Sequence, residues 1–375
     1  MNFDFSEEQI MLRDSVARFV QDDYDFDTRR KIADSDTGMS AANWQTFADL
    51  GWLSIPFAEE HGGFGGSATD TMLVMEEFGK GLVVEPFLAT VVLFGGLLQK
   101  AGTTDQQAAF IPKIIDGSCQ GAFAYLERQG RYALSDVKTT AVAEGDQVRL
   151  TGEKVVVING ANAQHLIVSA RSAGEQNDDK GISLYLVPVD AAGVERLDYR
   201  LMDGQRVANV VLKDVLVPAA NLVGELNEGL GLIEAIALDA KQAVAAEALG
   251  IMGQLNSKTL EYTKTREQFG VAIGSFQALQ HRMVDTFMAY EQTRSLVYRA
   301  LCASEEDRAE AVHALSVMVD SAGKKIFGEA IQLHGGMGLT DELDIGHYAK
   351  RLMMINTVFG NGDYHQAKFN ALRYT

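Results

Sequence analysis

Cysteine is scarce in this sequence, with only Cys119 and Cys302 in 375 residues and no Cys-x-x-Cys pair. This scarcity excludes a disulfide framework and a zinc ribbon, and it predicts a reducing compartment, the cytoplasm. The chain also lacks an uncharged apolar run long enough to span a bilayer. Its first residues are acidic and lead directly into a helical pattern, so we expect neither a signal peptide nor a membrane partner.

Basic residues are also in short supply, because 33 Lys and Arg stand against 51 Asp and Glu and leave a formal charge of −18. A chain this acidic repels phosphate backbones, so we expect no nucleic-acid partner. The seven histidines show no His-x-x-x-His or His-Glu-x-x-His spacing, and no metal site is expected. With 47% hydrophobic residues the chain can bury large cores, and its length predicts two or three domains.

The hydrophobic period changes twice along the chain. Apolar residues recur at helical spacing in the first part, then at a period of two, and then at helical spacing again. The pattern predicts an α+β architecture with three domains. They are an N-terminal helical domain at 1–118, a middle antiparallel β-domain at 119–225 and a C-terminal four-helix bundle at 226–375.

Individual elements follow from the same patterns. The predicted helices share an apolar stripe and comprise 44–53, 69–79, 88–100, 232–263, 276–303, 306–332 and 345–358. The predicted strands are short and β-branched and comprise 148–150, 155–158, 166–169, 182–187 and 210–217. At the start of the first helix, Ser6 and Gln9 have the form of a capping box, and Phe5 and Ile10 occupy the hydrophobic-staple positions.

Two segments of the predicted bundle contain candidate ligand-binding residues, Arg266–Gly270 and Gln332–Gly338. An arginine in a glycine-punctuated turn after a long helix can hold a pyrophosphate through charge-assisted hydrogen bonds. A Gly-Gly-x-Gly loop lets backbone amides approach an anionic or flat ligand closely. Taken singly, each segment is more simply explained as a helix end and turn, so spacing alone predicts no more than a candidate nucleotide site.

Two further segments extend the pattern, Pro56–Gly63 and the strand Leu212–Pro218. In the order of its domains and in all four segments, the sequence resembles the acyl-CoA dehydrogenases, which are flavoproteins. In finer detail it is similar to the small subunit of heteromeric dehydrogenases of the pimeloyl-CoA type. This resemblance runs through nearly the whole chain.

The resemblance implies FAD as cofactor and oxidation of an acyl-CoA substrate to the 2,3-enoyl-CoA, with electron-transferring flavoprotein as the acceptor. In the family a carboxylate removes the α-proton, and the β-hydrogen leaves as hydride to flavin N5. The bundle holds the ADP half of FAD across a subunit interface. The positions that match this role are Arg266, Gln268, Phe269, Phe276, Gln277, Gln332, Gly335 and Gly336.

The catalytic half of the family pattern does not match. The usual glutamate position falls on Gly360, and the alternative position on the first bundle helix falls on Ala240, beside Lys241. Neither glycine nor alanine can accept a proton. By the resemblance, this chain carries no carboxylate at either known position of the base.

The predicted flavin wall of the β-domain departs from the family as well. The segment that faces the flavin ring falls on Phe123–Arg128, and the Gly-Ser pair that follows it is replaced by Arg131 and Tyr132. The tryptophan and threonine of the next strand fall on Val156 and Ile158. A flavin ring bound against this wall would therefore lack the hydrogen bonds that the replaced side chains provide in the family.

Three functions are open at this level. The chain can be one subunit of a hetero-oligomer that lacks its own base and completes the FAD site of a homologous partner. It can be a self-sufficient homo-oligomer with a relocated base, Asp239 or Asp363, although the first also fits a solvated or capping side chain and the second an N-cap of a helix at 364–372. It can also be a scaffold without flavin, against which the two intact bundle segments argue.

Overall fold

The computed structural model describes residues 5–374. The chain forms two compact units, each assembled from segments that are distant in sequence. The first unit comprises Met1–Arg30, Ala68–Val83 and Lys241–Thr375, and the second comprises Lys31–Ser67 and Val84–Ala240. Among the described residues, none of the helices combines the length and the apolarity that a membrane span requires.

The α-helices fall mostly where the periodicity predicts them, and the C-terminal helical domain is confirmed. In chain order they are α1 (Glu7–Asp22), α2 (Phe26–Asp34), α3 (Ala41–Asp49), α4 (Ala68–Gly81), α5 (Gly96–Ala101), α6 (Thr104–Ile115), α7 (Gly229–Thr265), α8 (Gln277–Leu301), α9 (Glu305–His334), α10 (Ile345–Ile355) and α11 (Gly362–Tyr374). The helices α7, α8 and α9 are long, as predicted, and α10 and α11 follow them.

The capping box predicted for α1 is confirmed. The Ser6 amide donates to Gln9 Oε1 at 3.1 Å, and the Gln9 amide donates to Ser6 Oγ at 3.2 Å. Each side chain therefore satisfies an amide that the first helical turn leaves without a partner. The apolar face of α1 buries Val16 and Phe19 in the first unit.

Glycine permits close backbone packing between α4 and α7 in the first unit. A Cβ atom added to Gly79 would lie 2.1 Å from the carbonyl oxygen of Glu247, and one added to Gly250 would lie 1.9 Å from that of Glu76. No other residue fits either position without moving a helix. This close approach thus explains why each helix tolerates a residue of low helix propensity, Gly79 in α4 and Gly250 in α7.

The second unit contains the β-sheet. Its strands are β1 (Gly121–Ala124), β2 (Thr140–Glu144), β3 (Gln147–Ile158), β4 (His165–Arg171), β5 (Ile182–Pro188), β6 (Val194–Arg200), β7 (Arg206–Pro218) and β8 (Leu222–Val223). Their order is β6-β7-β3-β2-β4-β5-β8, with β1 paired to β4. A separate two-stranded ribbon, β9 (Glu267–Gln268) and β10 (Val271–Ala272), lies in the first unit.

The middle domain is a mixed sheet, so the prediction of a wholly antiparallel one is wrong. Strand β4 pairs in parallel with β1 along its length and with β2 through Thr140 and Arg171. The hairpin of β2 and β3 lies between β1 and β4 in sequence, and such a crossover brings the chain back in the same direction. The remaining pairs are antiparallel.

The predicted strands 148–150 and 155–158 belong to one strand, β3. Its pairing with β7 changes register between Leu150 and Gly152 and again between Lys154 and Val157. These bulges interrupt the alternation of buried and exposed residues, which is why the sequence suggested two strands. Strand β6 was not predicted, because most of its side chains are exposed and charged and give no apolar pattern.

The predicted helix 88–100 is π-helical over Leu88–Gly95 before it continues as α5. Every residue of the π-helical segment is buried in the second unit. Packing is tight around it, because a Cβ atom on Gly121 would lie 2.2 Å from the ring of Phe94 and one on Gly95 would lie 2.5 Å from the ring of Phe57. The contact of Phe94 with Gly121 therefore fixes this segment against β1, and the contact of Gly95 fixes it against Phe57.

Candidate cofactor site and the position of the base

The two glycine-punctuated segments of the bundle lie side by side in the first unit, at the C-terminal ends of α7 and α9. The ring of Tyr262 stacks on the ring of His334 with centroids 4.4 Å apart and planes at 29°. The Tyr262 hydroxyl donates to the carbonyl oxygen of His334 at 3.4 Å, and His334 Nδ1 lies 2.7 Å from the oxygen of Ala330. Burial lowers the pKa of His334, which favours the neutral ring in this stack.

The segment after α7 is a tight hairpin. The Arg266 amide donates to the oxygen of Tyr262 at 2.8 Å, and the Arg266 oxygen accepts from the amide of Ile273 at 2.9 Å. Between them β9 pairs with β10, and the turn places Phe269 at φ 57° and Gly270 at φ 80°. The exposed Arg266 side chain makes no ion pair or hydrogen bond with any residue in 5–374, so its guanidinium is available to an anionic group.

Aromatic side chains stand in solvent beside this hairpin. Phe269 is 92% exposed, and its ring meets that of Phe276 edge to face at 6.1 Å and 79°. A phenylalanine this exposed is unusual on a protein surface without a ligand or partner. Gln268 and Gln277 are exposed next to the pair, and Gln268 Nε2 donates to the oxygen of Glu267 at 2.6 Å.

The glycine loop after α9 is open to one side. Gly335 has φ 59°, which favours glycine, but a Cβ atom on Gly335 or on Gly336 would meet no atom within 4 Å. Neither a positive φ nor crowding inside the chain requires glycine at Gly336. This opening lets the flat face or the phosphates of a ligand approach the backbone, with Gln332 exposed one turn before. The residues present therefore fit the ADP portion of a dinucleotide.

Gly360 lies in a closed environment. Its φ is 117°, and a Cβ atom there would lie 2.4 Å from Tyr364 Cδ1 and 2.7 Å from His365 Nε2. The side chains of Tyr364 and His365 thus occupy the space that a side chain at residue 360 would need. The backbone is also in a region that disfavours any residue with a Cβ atom.

Lys241 supports the same turn from α7. Its buried ammonium donates to the carbonyl oxygens of Ile355, Val358 and Gly360, each at 3.2 Å. Burial lowers its pKa to about 8, an effect that the carboxylate of Asp320 opposes. All three N–H groups are engaged, so Lys241 fixes the end of α10 and is not free to act as a base.

The three other candidate positions for a base have different environments. Ala240 is fully buried. Asp239 forms an ion pair with Lys100, with Oδ2 and Nζ 3.1 Å apart in the second unit. Asp363 is exposed in the first turn of α11. The amide of Tyr364 donates to Asn361 Oδ1 at 2.9 Å at the start of this helix, so the alternative in which Asp363 is the N-cap is wrong.

In the segment Phe123–Arg128, the predicted flavin wall, the side chain of Glu127 is buried in the second unit. Glu127 Oε1 lies 2.7 Å from Lys154 Nζ, and both side chains are buried. Its oxygens also accept from the amides of Lys138 and Thr139 at 2.8 and 3.0 Å. Burial alone would raise the pKa of Glu127, but the Lys154 ammonium and the hydrogen bonds from Gln129 and Thr139 lower it to about 2.

The bulge of β3 offers no polar side chain at two positions of that wall. Val156 and Ile158 are half-buried and aliphatic. Val156 has φ 52°, a strained value for a β-branched residue, and its amide donates to Asn209 Oδ1 at 3.2 Å. The hydroxyl and ring that the family pattern places here are missing, so this wall fits a flavin ring poorly.

An apolar groove of about 600 Å³ runs between α7, α8 and α9 in the first unit. The exposed side chains along α8 are apolar too, since Val284, Phe287 and Met288 are 54%, 57% and 49% exposed. A contiguous apolar patch of this kind marks a surface that another molecule covers. No group of three or more His, Cys, Asp or Glu residues within 5–374 could hold a metal ion.

Comparison with known proteins places the chain in a family. The model for the N-terminal domain of acyl-CoA dehydrogenases matches residues 6–118, that for the middle domain matches 122–215, and that for the C-terminal domain matches 227–369. The probable acyl-CoA dehydrogenase YngJ of Bacillus subtilis (strain 168) is 30% identical over 353 residues, 92% of each chain. The short-chain specific acyl-CoA dehydrogenase of Clostridium acetobutylicum is 27% identical, again over 92% of each.

Solved structures agree in fold. A chain of the structure described as "Electron transferring flavoprotein of Acidaminococcus fermentans: Towards a mechanism of flavin-based electron bifurcation" is 28% identical, with a TM-score of 0.92 over 100% of both chains. Butyryl-CoA dehydrogenase of Megasphaera elsdenii, at 24% identity, has a TM-score of 0.90 over 99% of both. The ChsE4-ChsE5 complex of Mycobacterium tuberculosis, also at 24%, has a TM-score of 0.91 over 100% of both.

Fold and motifs thus define a flavoprotein oxidoreductase with helical, β and helical domains. The chain belongs to the acyl-CoA dehydrogenase family. The prediction of the family from sequence is therefore confirmed.

Proposed function

We propose that this chain is the subunit of a heteromeric acyl-CoA dehydrogenase that lacks the catalytic carboxylate and completes the FAD site of a homologous partner. The observation that carries the proposal is the contrast between two places in the first unit. At Gly360, the family's usual position of the base, the space for a side chain is filled. At Gly336 and Arg266, the family's ADP positions, the surface is open and the cation is unpaired.

The chain's own residues would act on FAD as follows. Arg266 and Gln268 would hold the pyrophosphate, with Phe269, Phe276 and Gln277 around the adenosine. The backbone of Gly335 and Gly336, with Gln332, would meet the ADP portion from the other side. When bound, FAD supplies the hydride acceptor for oxidation of the acyl-CoA, and that acyl-CoA would lie against the partner's β-domain, where a complete wall and a carboxylate are available.

The apolar groove and the exposed face of α8 support a homologous bundle as the partner. Phe269 and Phe276 lie at one end of this face, and Val284, Phe287 and Met288 continue it along the helix. A partner that covers α8 would exclude water from the ADP site as well. The ChsE4-ChsE5 complex is an assembly of two differently named chains, one of which shares this fold.

Further parts of the proposal rest on the family. Electron-transferring flavoprotein would reoxidise the cofactor, and the similarity to the pimeloyl-CoA type suggests a dicarboxyl-CoA as substrate. The matched ranges of the three domain models support a division near residues 118 and 225. Both cysteines are free thiols, in keeping with a cytoplasmic location.

Reconstitution tests the proposal. The chain is purified alone and with candidate partner chains, and flavin absorbance and its bleaching by acyl-CoA are recorded. We expect bound flavin that bleaches only in the presence of a partner. Stoichiometric flavin that bleaches with this chain alone would instead establish a self-sufficient enzyme with a relocated base, such as Asp239 or Asp363. A stable complex without any flavin would establish a scaffold.

Arg266→Ala provides the residue-level test, with Arg18→Ala as the matched control because Arg18 is also exposed and makes no ion pair within 5–374. Loss of a charge-assisted contact worth about 1.5–3 kcal/mol lowers FAD affinity by roughly ten- to a hundredfold. We expect this loss for Arg266→Ala alone. Equal retention in the two variants would show that the pyrophosphate lies elsewhere.

A further inference from the structure

Two histidines from different helices share one hydrogen bond in the interior of the first unit. His313 lies on α9 and His365 on α11, and their Nδ1 atoms are 2.8 Å apart. The rings are tilted by 39° with centroids at 5.1 Å, and the residues are 8% and 2% exposed. Two Nδ1 atoms at this distance hold a single proton between them, so one ring must donate and the other accept.

Either ring can be the donor of this hydrogen bond. The carbonyl groups of Phe359 and Gly360 act on the His365 ring, but its buried Nε2 has no hydrogen-bond partner within residues 5–374. A second proton on the accepting ring would place two N–H groups against each other across the 2.8 Å contact.

The charged groups near the pair disfavour any added positive charge. Lys241 on α7 and Lys368 on α11 act against protonation of His313, and Lys241 acts against protonation of His365. Asp320 on α9 is engaged by Lys324, with Nζ and Oδ2 2.7 Å apart, and also faces Lys241. Neither histidine has an ion pair with a carboxylate among the described residues. Burial first, and then Lys368 and Lys241, lower the pKa of His313 to about 4. Burial first, and then Lys241 and His313, lower the pKa of His365 to about 3.

The pair sits where it controls the turn at Gly360. His365 is one turn into α11, its amide donates to the oxygen of Asn361 at 3.0 Å, and its ring closes the space beside Gly360. We propose that the His313–His365 pair is a pH-sensitive latch, which holds α11 and the turn 356–361 on α9 when both rings are neutral and releases them when one ring is protonated. This inference does not depend on flavin binding or on a partner's identity.

Hydrogen exchange of the full chain, bound to its partner where one is required, tests the latch. Protection factors are compared between about pH 7.5 and about pH 5.5, after correction for intrinsic exchange. If each ring takes up a proton only in the released state, the amides of α11 should lose protection by about tenfold per histidine between these two pH values. The amides of α8 should show no change. His313→Gln/His365→Gln removes both titrating groups and should abolish this loss, whereas His281→Gln, at an exposed histidine outside the pair, should leave it unchanged.

Equal protection of α11 at the two pH values in the unaltered chain would overturn the proposal, and so would a loss that persists in the double variant. If the double variant does not fold, imidazole NMR of the unaltered chain decides the matter. The proposal requires that two histidines titrate well below the ordinary histidine pKa of about 6.5 and that α11 signals change with them. Titration of both rings in the ordinary range would refute it.

Discussion

Tyr262 stacks on His334, and this contact joins the end of α7 to the end of α9 at the place where both carry their glycine-punctuated segments. Arg266 follows Tyr262 by one helical turn, and Gly335 follows His334 directly. The stack therefore sets the distance between the arginine and the glycine loop. It is the structural reason why two segments 66 residues apart lie side by side.

Removal of this stack should weaken FAD retention without loss of the fold. Tyr262→Leu keeps an apolar side chain but loses the aromatic pair, worth about 0.5–1.5 kcal/mol. We expect a several-fold higher dissociation constant for FAD in the reconstituted complex, measured by fluorescence of released flavin. Tyr262→Phe keeps the ring and is the control. An equal effect of both variants would show that the hydroxyl contact at 3.4 Å, and not the stack, is what matters.

The environment of Gly360 predicts that no side chain is accepted there. Gly360→Ala meets both an unfavourable φ of 117° and the contacts with Tyr364 and His365, so unfolding in urea should show a loss of about 2–4 kcal/mol. Gly145→Ala is the matched control, because its φ is 63° but no atom lies within 4 Å of the added Cβ. Its loss should be smaller, about 1 kcal/mol. Gly360→Glu alone should yield no dehydrogenase activity.

The buried pair of Glu247 and Arg351 should be essential for the C-terminal domain. Arg351 Nε and Nη2 donate to the two carboxylate oxygens of Glu247 at 2.5 and 2.7 Å, and this bidentate contact ties α10 to α7. Arg351→Met leaves a buried carboxylate without its partner and should reduce the free energy of unfolding by about 3–5 kcal/mol. Glu247→Leu/Arg351→Met should recover much of that loss in thermal unfolding. A double variant as unstable as the single one would show that shape, and not charge, decides the contact.

A pH dependence follows from the buried pair of Glu127 and Lys154. Glu127→Gln leaves Lys154 buried without a counter-charge, and burial already lowers the Lys154 pKa to about 8 against 10.5 in the unfolded chain. The unfolded state then binds more protons in this window, so the variant should gain stability as pH rises toward 10.5. Urea unfolding at about pH 7 and about pH 9 measures this gain. Glu127→Gln/Lys154→Met is the control and should show no such dependence, and a flat response of the single variant would contradict the assignment.

Sequence patterns predicted the features that depend on local contacts. The capping box of Ser6 and Gln9 and the helices α7 to α9 were correct because hydrophobic period and cap chemistry act within a few residues. The π-helical form of Leu88–Gly95 was missed, because its cause is tertiary packing against Gly121 and Phe57, which no local pattern encodes.

The candidate site also combines residues that local motifs predict with residues that only the tertiary structure reveals. Arg266 and the glycine loop are visible as motifs, but Tyr262 is an ordinary helical residue until His334 is placed beside it. The pairing of His313 with His365 joins residues that are 52 apart and carry no shared motif. The space at Gly360 is closed by Tyr364 and His365, and no local motif at residue 360 shows that these two side chains fold back onto it.

The exposed aromatic and aliphatic side chains along α8, with Phe269 at their end, affect the newly synthesised chain before it assembles. A newly made copy carries this apolar stripe into solution, where it can contact other nascent chains. Under the proposed function, the amounts of this chain and its partner subunit would have to be matched during synthesis. An excess of this chain would then be removed by proteolysis or lost to aggregation, so its cellular level should follow the supply of that partner.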